Sequence, residues 1–198
     1  MRSLLGPQAL GILAVGVSLS GLVGIFCSVM VYRDTKRPFW DNHLTTLKFF
    51  MTTGILGFAT VLLTSLIFSL VQPDTSSILK PFIHYSCRAI LILTFLKLIL
   101  ETTVFLYLYK GNSPFLKKTV VLMMRQLKSY TLWRFGCGFL GGILIPFLYL
   151  SVFQLPSAAM TIILSAAILF FSLAGELLER YLFFRAVVPL KMPGGKFY

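Results

Sequence analysis

The sequence predicts an all-α integral membrane protein, a single domain of residues 1–198 built as a bundle of about five transmembrane helices. Of its 198 residues, 57% are hydrophobic and only 12% are charged, whereas soluble domains carry roughly 25% charged residues. A chain of 22.2 kDa with so little polar surface would not stay dissolved in water. In addition, five apolar runs are long enough to cross about 30 Å of hydrocarbon at about 1.5 Å per residue.

These runs set approximate limits for the predicted helices: residues 9–31, 44–71, 82–109, 132–153 and 157–184. The first is longer than the roughly 7–15-residue core of a signal peptide and lacks a small-x-small exit, so we expect it to be retained. The second and third exceed the length that spanning requires and are expected to tilt or protrude. The fourth contains Gly138 and Gly142 in a GxxxG pattern, followed by Pro146, which allows close helix packing and a bend.

The segment of residues 114–130, between the third and fourth runs, has the pattern of an amphipathic helix in the inner headgroup layer. Its apolar face comprises Leu116, Val120, Met123, Met124 and Leu127. Its opposite face comprises Lys117, Lys118, Arg125 and Lys128. The segment is either a docking surface or anionic-lipid site, or an ordinary basic loop with some helix, and the sequence favours the second interpretation.

Lysine and arginine outnumber aspartate and glutamate by eighteen to six, and most of the excess lies on one side. The first loop, the third loop and the C-terminal end carry Arg33, Lys36, Arg37, Lys110, Lys117, Lys118, Arg125, Lys128, Arg180, Arg185, Lys191 and Lys196, with Arg134 at the edge of the third loop. The opposite side carries Arg2, Lys80 and Arg88. The positive-inside rule therefore predicts a multi-pass protein with an outside N-terminus and an inside C-terminus. Basic residues clustered in such loops predict contact with membrane lipid and no binding of nucleic acid.

Ionisable side chains at membrane depth are costly, so each is a functional candidate. In the third run Lys97 and Glu101 are one turn apart near the bilayer middle and share a face with Thr94. This spacing suits an ion pair facing the bundle, which the sequence favours over the alternative of a proton path. The fifth run carries a polar stripe that must face other helices or a cavity, and within it Glu176 and Arg180 are again spaced for an ion pair. The stripe comprises Thr161, Ser165, Ser172, Glu176, Glu179 and Arg180.

A third polar set, His84, Tyr85 and Arg88, lies near the outer end of the third run. Imidazole exchanges protons near neutral pH, as the oxidation of a quinol requires. Tyr85 and Arg88 have groups that hydrogen-bond a quinone carbonyl. The set is therefore a candidate quinol-binding site, and an interfacial histidine held by water explains it equally well.

Several kinds of chemistry lack the residues that they need. His84 is the one histidine in a predicted span, since His43 falls in a loop, so a bis-histidine haem is not expected. Cys27, Cys87 and Cys137 are far apart and form no Cys/His motif, so no metal site is expected. Nucleotide-binding, Ser/His/Asp and HExxH motifs are also missing. We expect the chain to have no independent site for a terminal substrate.

Three stretches near helix ends have distinctive sequences. The first comprises Phe26-Cys27-Ser28 with residues 31–40, VYRDTKRPFW; the second, residues 45–57, is TTLKFFMTTGILG; the third, residues 175–184, is GELLERYLFF. Together they resemble the membrane anchor subunit of the DMSO reductase type, within the wider polysulfide-reductase-like anchors, and the likeness covers nearly the whole chain. Such anchors commonly have eight helices, so about five correspond to the later part of one or to a shortened form.

The resemblance implies a function. Such an anchor holds a molybdopterin catalytic subunit and an iron–sulfur electron-transfer subunit at the bacterial cytoplasmic (inner) membrane. It oxidises menaquinol or ubiquinol without haem and passes the electrons to the iron–sulfur subunit in anaerobic respiration, while another subunit chooses the terminal substrate. Two alternatives stay open: a purely structural membrane anchor, and a small membrane transporter whose path uses the polar residues of the third and fifth runs.

Overall fold

The computed structural model describes residues 6–37, 39–40, 43–71, 76–106, 114–151 and 158–187. Within these ranges it contains six α-helices and no β-strand. They are α1 (Pro7–Asp34), α2 (His43–Val71), α3 (Ser76–Thr102), α4 (Pro114–Arg125), α5 (Lys128–Ser151) and α6 (Ala158–Arg185). Five of these described helices, all but α4, are long and apolar enough to cross a membrane. The predicted all-α membrane fold is confirmed.

The helix ends differ from the predicted limits by a few residues. α1 begins at Pro7, α3 at Ser76 and α5 at Lys128, each before the start of its apolar run. Helices continue past the hydrocarbon because the headgroup layers bring the total thickness of a bilayer to roughly 40–45 Å. The predicted ends at residues 109 and 153 and the predicted start at 157 lie outside the described residues, as do Arg2, Lys110, Lys191, Lys196 and the side chains of His43 and Lys80.

The chain separates into two compact units, Met1–Phe50 and Met51–Tyr198, and α2 contributes to both; the single domain stays a prediction. In the first unit, aromatic contacts surround the end of α1. The ring centroid of Tyr32 lies 5.7 Å from that of Trp40 and 5.8 Å from that of Phe49. The guanidinium of Arg37 lies 4.7 Å from the Trp40 ring centroid, within the range of a cation–π contact. These contacts connect Trp40 and Phe49 to the last turn of α1.

Two apolar clusters occupy opposite ends of the second unit. The larger joins α2, α3, α5 and α6, and it includes the fully buried side chains of Leu62, Ile90 and Ile168. The smaller joins α4 to the C-terminal end of α6 through contacts that include Met123 and Leu182. Since α3 and α6 run from the first cluster toward the second, the residues between the clusters form a middle layer with an apolar cluster at each end.

The middle of α5 contains a π-helical segment, Phe139–Leu144, where the backbone closely approaches its neighbours. A Cβ atom added to Gly141 would lie 2.7 Å from the Cβ of Phe171, and one added to Gly142 would collide with Thr94. Glycines therefore let α5 pack against α3 and α6, as the small residues of membrane helices commonly do.

The amphipathic segment of residues 114–130 forms one helix and the start of another. α4 ends at Arg125, and a turn leads into α5 at Lys128. The Thr131 hydroxyl fixes this turn by donating to the carbonyl oxygens of Met123 and Leu127 at 3.2 and 3.0 Å. The basic residues predicted for the polar face are exposed: Lys117, Lys118, Arg125 and Lys128. Of the predicted apolar face, Val120, Met123 and Leu127 are buried, Leu116 is half-buried and Met124 is 50% exposed.

Candidate functional site

Six ionisable side chains from three helices converge in the middle layer of the second unit, and we call them the charge cluster. They are Lys97 and Glu101 from α3, Arg134 from α5, and Glu176, Glu179 and Arg180 from α6. The cluster contains all three glutamates of the chain. Its three carboxylates balance its three cations, so its formal charge is zero.

Lys97 forms one half of the charge cluster and is completely buried. Its ammonium group donates to Glu176 Oε2, to Glu179 Oε2 at 2.7 Å and to Thr52 Oγ1 at 2.5 Å. A lysine ammonium has three donors, so these contacts use its full capacity. Thr52, from α2, in turn donates its hydroxyl to Glu176 Oε2 at 2.7 Å.

Arg134 forms the other half and is 2% exposed. Its Nη2 lies 2.6 Å from Glu101 Oε1 and 3.4 Å from Glu176 Oε1. Among the described residues, its Nε has no hydrogen-bond partner. Glu176 is therefore the bridge between the halves, since one of its oxygens faces Lys97 and the other faces Arg134.

Two glycines make room for the Arg134 guanidinium. A Cβ atom on Gly175 would lie 2.9 Å from Arg134 Nη1, and one on Gly138 would lie 3.1 Å from the same atom. Both distances are shorter than ordinary van der Waals contact, so any side chain at either position would press on the guanidinium. The chain thus places a glycine one turn after Arg134 and another next to Glu176.

The charge cluster lies at membrane depth on every helix that supplies it. Lys97 and Glu176 are about 5–6 Å beyond the midpoints of the spans Pro81–Leu106 and Ala159–Arg185, and Arg134 is about 8 Å before the midpoint of Lys128–Ser151. Since α5 runs opposite to α3 and α6, all three positions fall on the same side of the bilayer middle. Charges at such depth are tolerated when they pair with one another inside the bundle.

One edge of the cluster is more open than the rest. Arg180 and Thr52 are half-buried, and Arg180 Nη2 lies 3.4 Å from Thr52 Oγ1. Glu179, next to this edge, has the most exposed side chain of the three glutamates, at 11% against 5% for Glu176 and 9% for Glu101. A molecule approaching from this edge would meet donors first and carboxylates directly behind them.

The structure brings together the two polar sets that the sequence analysis kept separate. Lys97 and Glu101 of the third run and Glu176, Glu179 and Arg180 of the fifth belong to one cluster. The partners that it shows for Lys97, Glu101 and Glu176 lie on other helices, whereas the spacing had suggested pairs within one helix. The upper part of the fifth-run stripe, Thr161, Ser165 and Ser172, is buried as well.

Sequence reasoning missed two members of this site. Arg134 was placed at the edge of the third loop because it lies only two residues into the apolar run that begins at 132, whereas the helix begins six residues before it, at Lys128. Thr52 entered the sequence analysis only as part of the second distinctive stretch, residues 45–57. A signal for Arg134 did exist, because Gly138 and Gly142 follow it at four-residue spacing, and this spacing marks a face where another helix comes close.

His84, Tyr85 and Arg88 lie elsewhere. Thirteen residues of α3 separate His84 from Lys97, which is about 20 Å of helix. His84 is half-buried, Tyr85 is 69% exposed and Arg88 is exposed. The set therefore lies on the N-terminal part of α3, away from the charge cluster.

Comparisons with protein-family models, with curated proteins and with solved structures found no match. Among the described residues, no group of three or more histidine, cysteine, aspartate or glutamate side chains is arranged to hold a metal ion. The chemistry available at this site is that of the charge cluster itself. It offers three carboxylates that can accept protons, an ammonium group and a guanidinium that can hold those carboxylates in place, and one edge close to the surface.

Proposed function

We propose that this chain is the membrane anchor and quinol-oxidising subunit of a molybdopterin oxidoreductase complex of the DMSO reductase type, in the bacterial inner membrane. The charge cluster is the observation that carries the proposal. Oxidation of a quinol releases two electrons and two protons, and the protons need acceptors at the depth where the quinol headgroup is held. Buried carboxylates beside an open edge supply such acceptors.

The distinctive stretches of the sequence coincide with this site. Thr52 lies in residues 45–57, and Glu176, Glu179 and Arg180 lie in residues 175–184. Two of the three stretches that resemble the anchor family therefore supply residues to the charge cluster. Their side chains meet although more than 120 residues separate them in the chain.

In the proposed reaction the quinol headgroup lies at the edge formed by Thr52 and Arg180. The Arg180 guanidinium donates a hydrogen bond to one quinol oxygen, and Glu179 accepts the first proton that leaves. Lys97 and Thr52 hold Glu179 and Glu176 in position, so the carboxylates need not reorganise when the charge moves. Glu176 accepts the second proton. The two electrons would pass one at a time to the iron–sulfur subunit, which would serve as the oxidant, and the quinone is released.

The set at His84, Tyr85 and Arg88 is the alternative place for the headgroup, and it stays a sequence-based prediction. A half-buried imidazole at that depth would release protons toward the outer side. Because the two places are about 20 Å apart along α3, single substitutions can distinguish them.

The test uses a tagged chain purified from its native membranes, with molybdenum and iron measured in the co-purified complex. We expect both metals, and we expect Glu179→Gln to lower quinol-dependent reduction about 100-fold while the metal content is unchanged. His84→Ala and the exposed control Arg185→Gln should retain the native rate. A complex without molybdenum and iron contradicts the assignment of the family. If His84→Ala lowers the rate of quinol-dependent reduction and Glu179→Gln does not, the quinol binds at His84, Tyr85 and Arg88 and not at the charge cluster.

One observation favours a second function, that of a structural anchor. The formal charges of the cluster sum to zero, and such a balanced set of ion pairs can hold helices together without taking part in a reaction. If Glu179→Gln and Glu176→Gln both leave quinol-dependent reduction unchanged, and His84→Ala does too, the chain anchors its partners and another subunit handles the quinol.

A further inference from the structure

A groove of about 370 Å³ opens at the end of the second unit where α4 meets the start of α5. Its walls come from the 3-10 turn after α3 (Thr103–Leu106), from α4 and from α5. The side chains that give it an apolar interior are Phe105, Met123, Met124, Leu132 and Phe135. Its volume lies within the roughly 300–1,000 Å³ of sites for small molecules.

A lysine side chain lies at this mostly apolar groove. Lys128 contributes to its lining and is exposed. Lys117 lies seven residues before the groove-lining Met124, about 10 Å along α4 and within about 20° of the same direction, so Met124 lies at the border between the two predicted faces. Lys117 is exposed too. No acidic residue occurs in the sequence between Glu101 and Glu176, so no carboxylate from this part of the chain neutralises these lysines.

The groove lies at the level of a headgroup layer. It is formed where α3 ends and α5 begins, beside the smaller apolar cluster of α4 and α6. An amphipathic helix with exposed lysines at such a level lies along a membrane surface. Basic pockets between membrane helices are places where anionic lipid headgroups bind.

We propose that this groove binds one anionic phospholipid, with an acyl chain against the apolar walls and the headgroup phosphate beside Lys128 and Lys117. The two parts of the groove match the two parts of such a lipid. A quinol would fill the apolar part equally well, but its headgroup carries no negative charge to pair with the two lysines. The proposal does not depend on the reaction proposed for the charge cluster.

The test compares phosphatidylglycerol with phosphatidylcholine of the same acyl chains, added to the purified chain in detergent and counted by native mass spectrometry. One lysine near a membrane surface contributes about 1 kcal/mol to binding anionic lipid. We therefore expect Lys128→Gln to weaken phosphatidylglycerol binding about five-fold and to leave phosphatidylcholine unchanged. Met124→Trp, which fills the groove from a half-exposed position, should weaken both lipids. The control Arg185→Gln removes an exposed cation from the end of α6, outside the groove, and should weaken neither lipid.

Three results would overturn the proposal. Equal binding of the two lipids to the native chain would show that the groove does not select a charged headgroup. An equal loss with Lys128→Gln and Arg185→Gln would show that the overall positive charge attracts the lipid. Undiminished binding to Met124→Trp would place the lipid outside the groove. Lys128 and Met124 are exposed enough for each variant to fold, and a thermal melt of each variant checks this.

Discussion

The ion pair of Arg134 and Glu101 offers a direct test of how the charge cluster stabilises the bundle. Arg134→Leu leaves Glu101 and Glu176 without the guanidinium that faces them and gives the cluster a formal charge of −1. Removing one partner of a buried pair costs about 3–5 kcal/mol. Arg134→Leu combined with Glu101→Leu returns the cluster to neutrality, with Lys97 still paired to the α6 glutamates.

We therefore expect a strongly non-additive pair of substitutions. Replacement of a whole buried ion pair by apolar side chains often changes stability little. The unfolding free energy of the double variant should therefore be within about 2 kcal/mol of that of the native chain. Each single variant should lose about 3 kcal/mol or more. The free energy of unfolding is measured by titrating the detergent-solubilised protein with SDS and following its helical circular dichroism.

The control is Arg185→Leu, which removes an exposed arginine from the last turn of α6 and should change the unfolding free energy by less than about 0.5 kcal/mol. The reasoning fails if the losses of the two single variants simply add in the double variant. It also fails if Arg134→Leu is as stable as Arg185→Leu, since Arg134 would then carry no buried contact of consequence.

Two further predictions concern packing and orientation. Gly141→Ala should destabilise the fold by about 1–3 kcal/mol because its Cβ would meet the backbone of α6. The control Gly136→Ala, which has open space at its Cβ, should leave the unfolding free energy unchanged or slightly raised in the same SDS titration. Equal effects of the two variants would contradict the close approach of α5 and α6 at the π-helical segment. In a chain with its native cysteines replaced by serine, Lys117→Cys should react with a membrane-impermeant maleimide only after the cells are opened, and Ser151→Cys, at the other end of α5, should react in intact cells. The reverse pattern would invert the proposed orientation.

The five membrane helices could be predicted because they depend on composition alone. A run of about twenty apolar residues must form a helix in lipid, where backbone groups have no water to bind. The same reasoning limits what a sequence shows about helix ends, because a helix can continue into the headgroup layer without an apolar residue. For this reason the start of α5 was placed four residues too late, and Arg134 was placed at the edge of a loop.

The charge cluster was predictable in its parts and not in its pairing. Each ionisable residue inside an apolar run, such as Lys97 or Glu176, can be recognised from the sequence as a candidate, because placing a charge at membrane depth costs free energy unless the charge is paired. Which cation meets which carboxylate depends on how the helices are arranged around one another, and local spacing contains little of that information. The spacing of Lys97 and Glu101 suggested a pair within one helix, but the helices pack so that α6 faces Lys97 and α5 faces Glu101.

The balance of charges in the cluster also constrains how the protein can be made. Taken alone, the cluster residues of α5 carry one positive charge and those of α6 carry a net negative charge, so either helix released by itself into lipid would hold an uncompensated charge. When α5 and α6 are adjacent, the charges of their cluster residues cancel. Their insertion from the translocation machinery should therefore be cooperative, with α5 retained at the protein-conducting channel until α6 has been synthesised. Shortening the chain before residue 176 would then leave the cluster residues of α3 and α5 with a net positive charge, because Glu101 cannot balance both Arg134 and Lys97. Such a chain should be a substrate for membrane quality control.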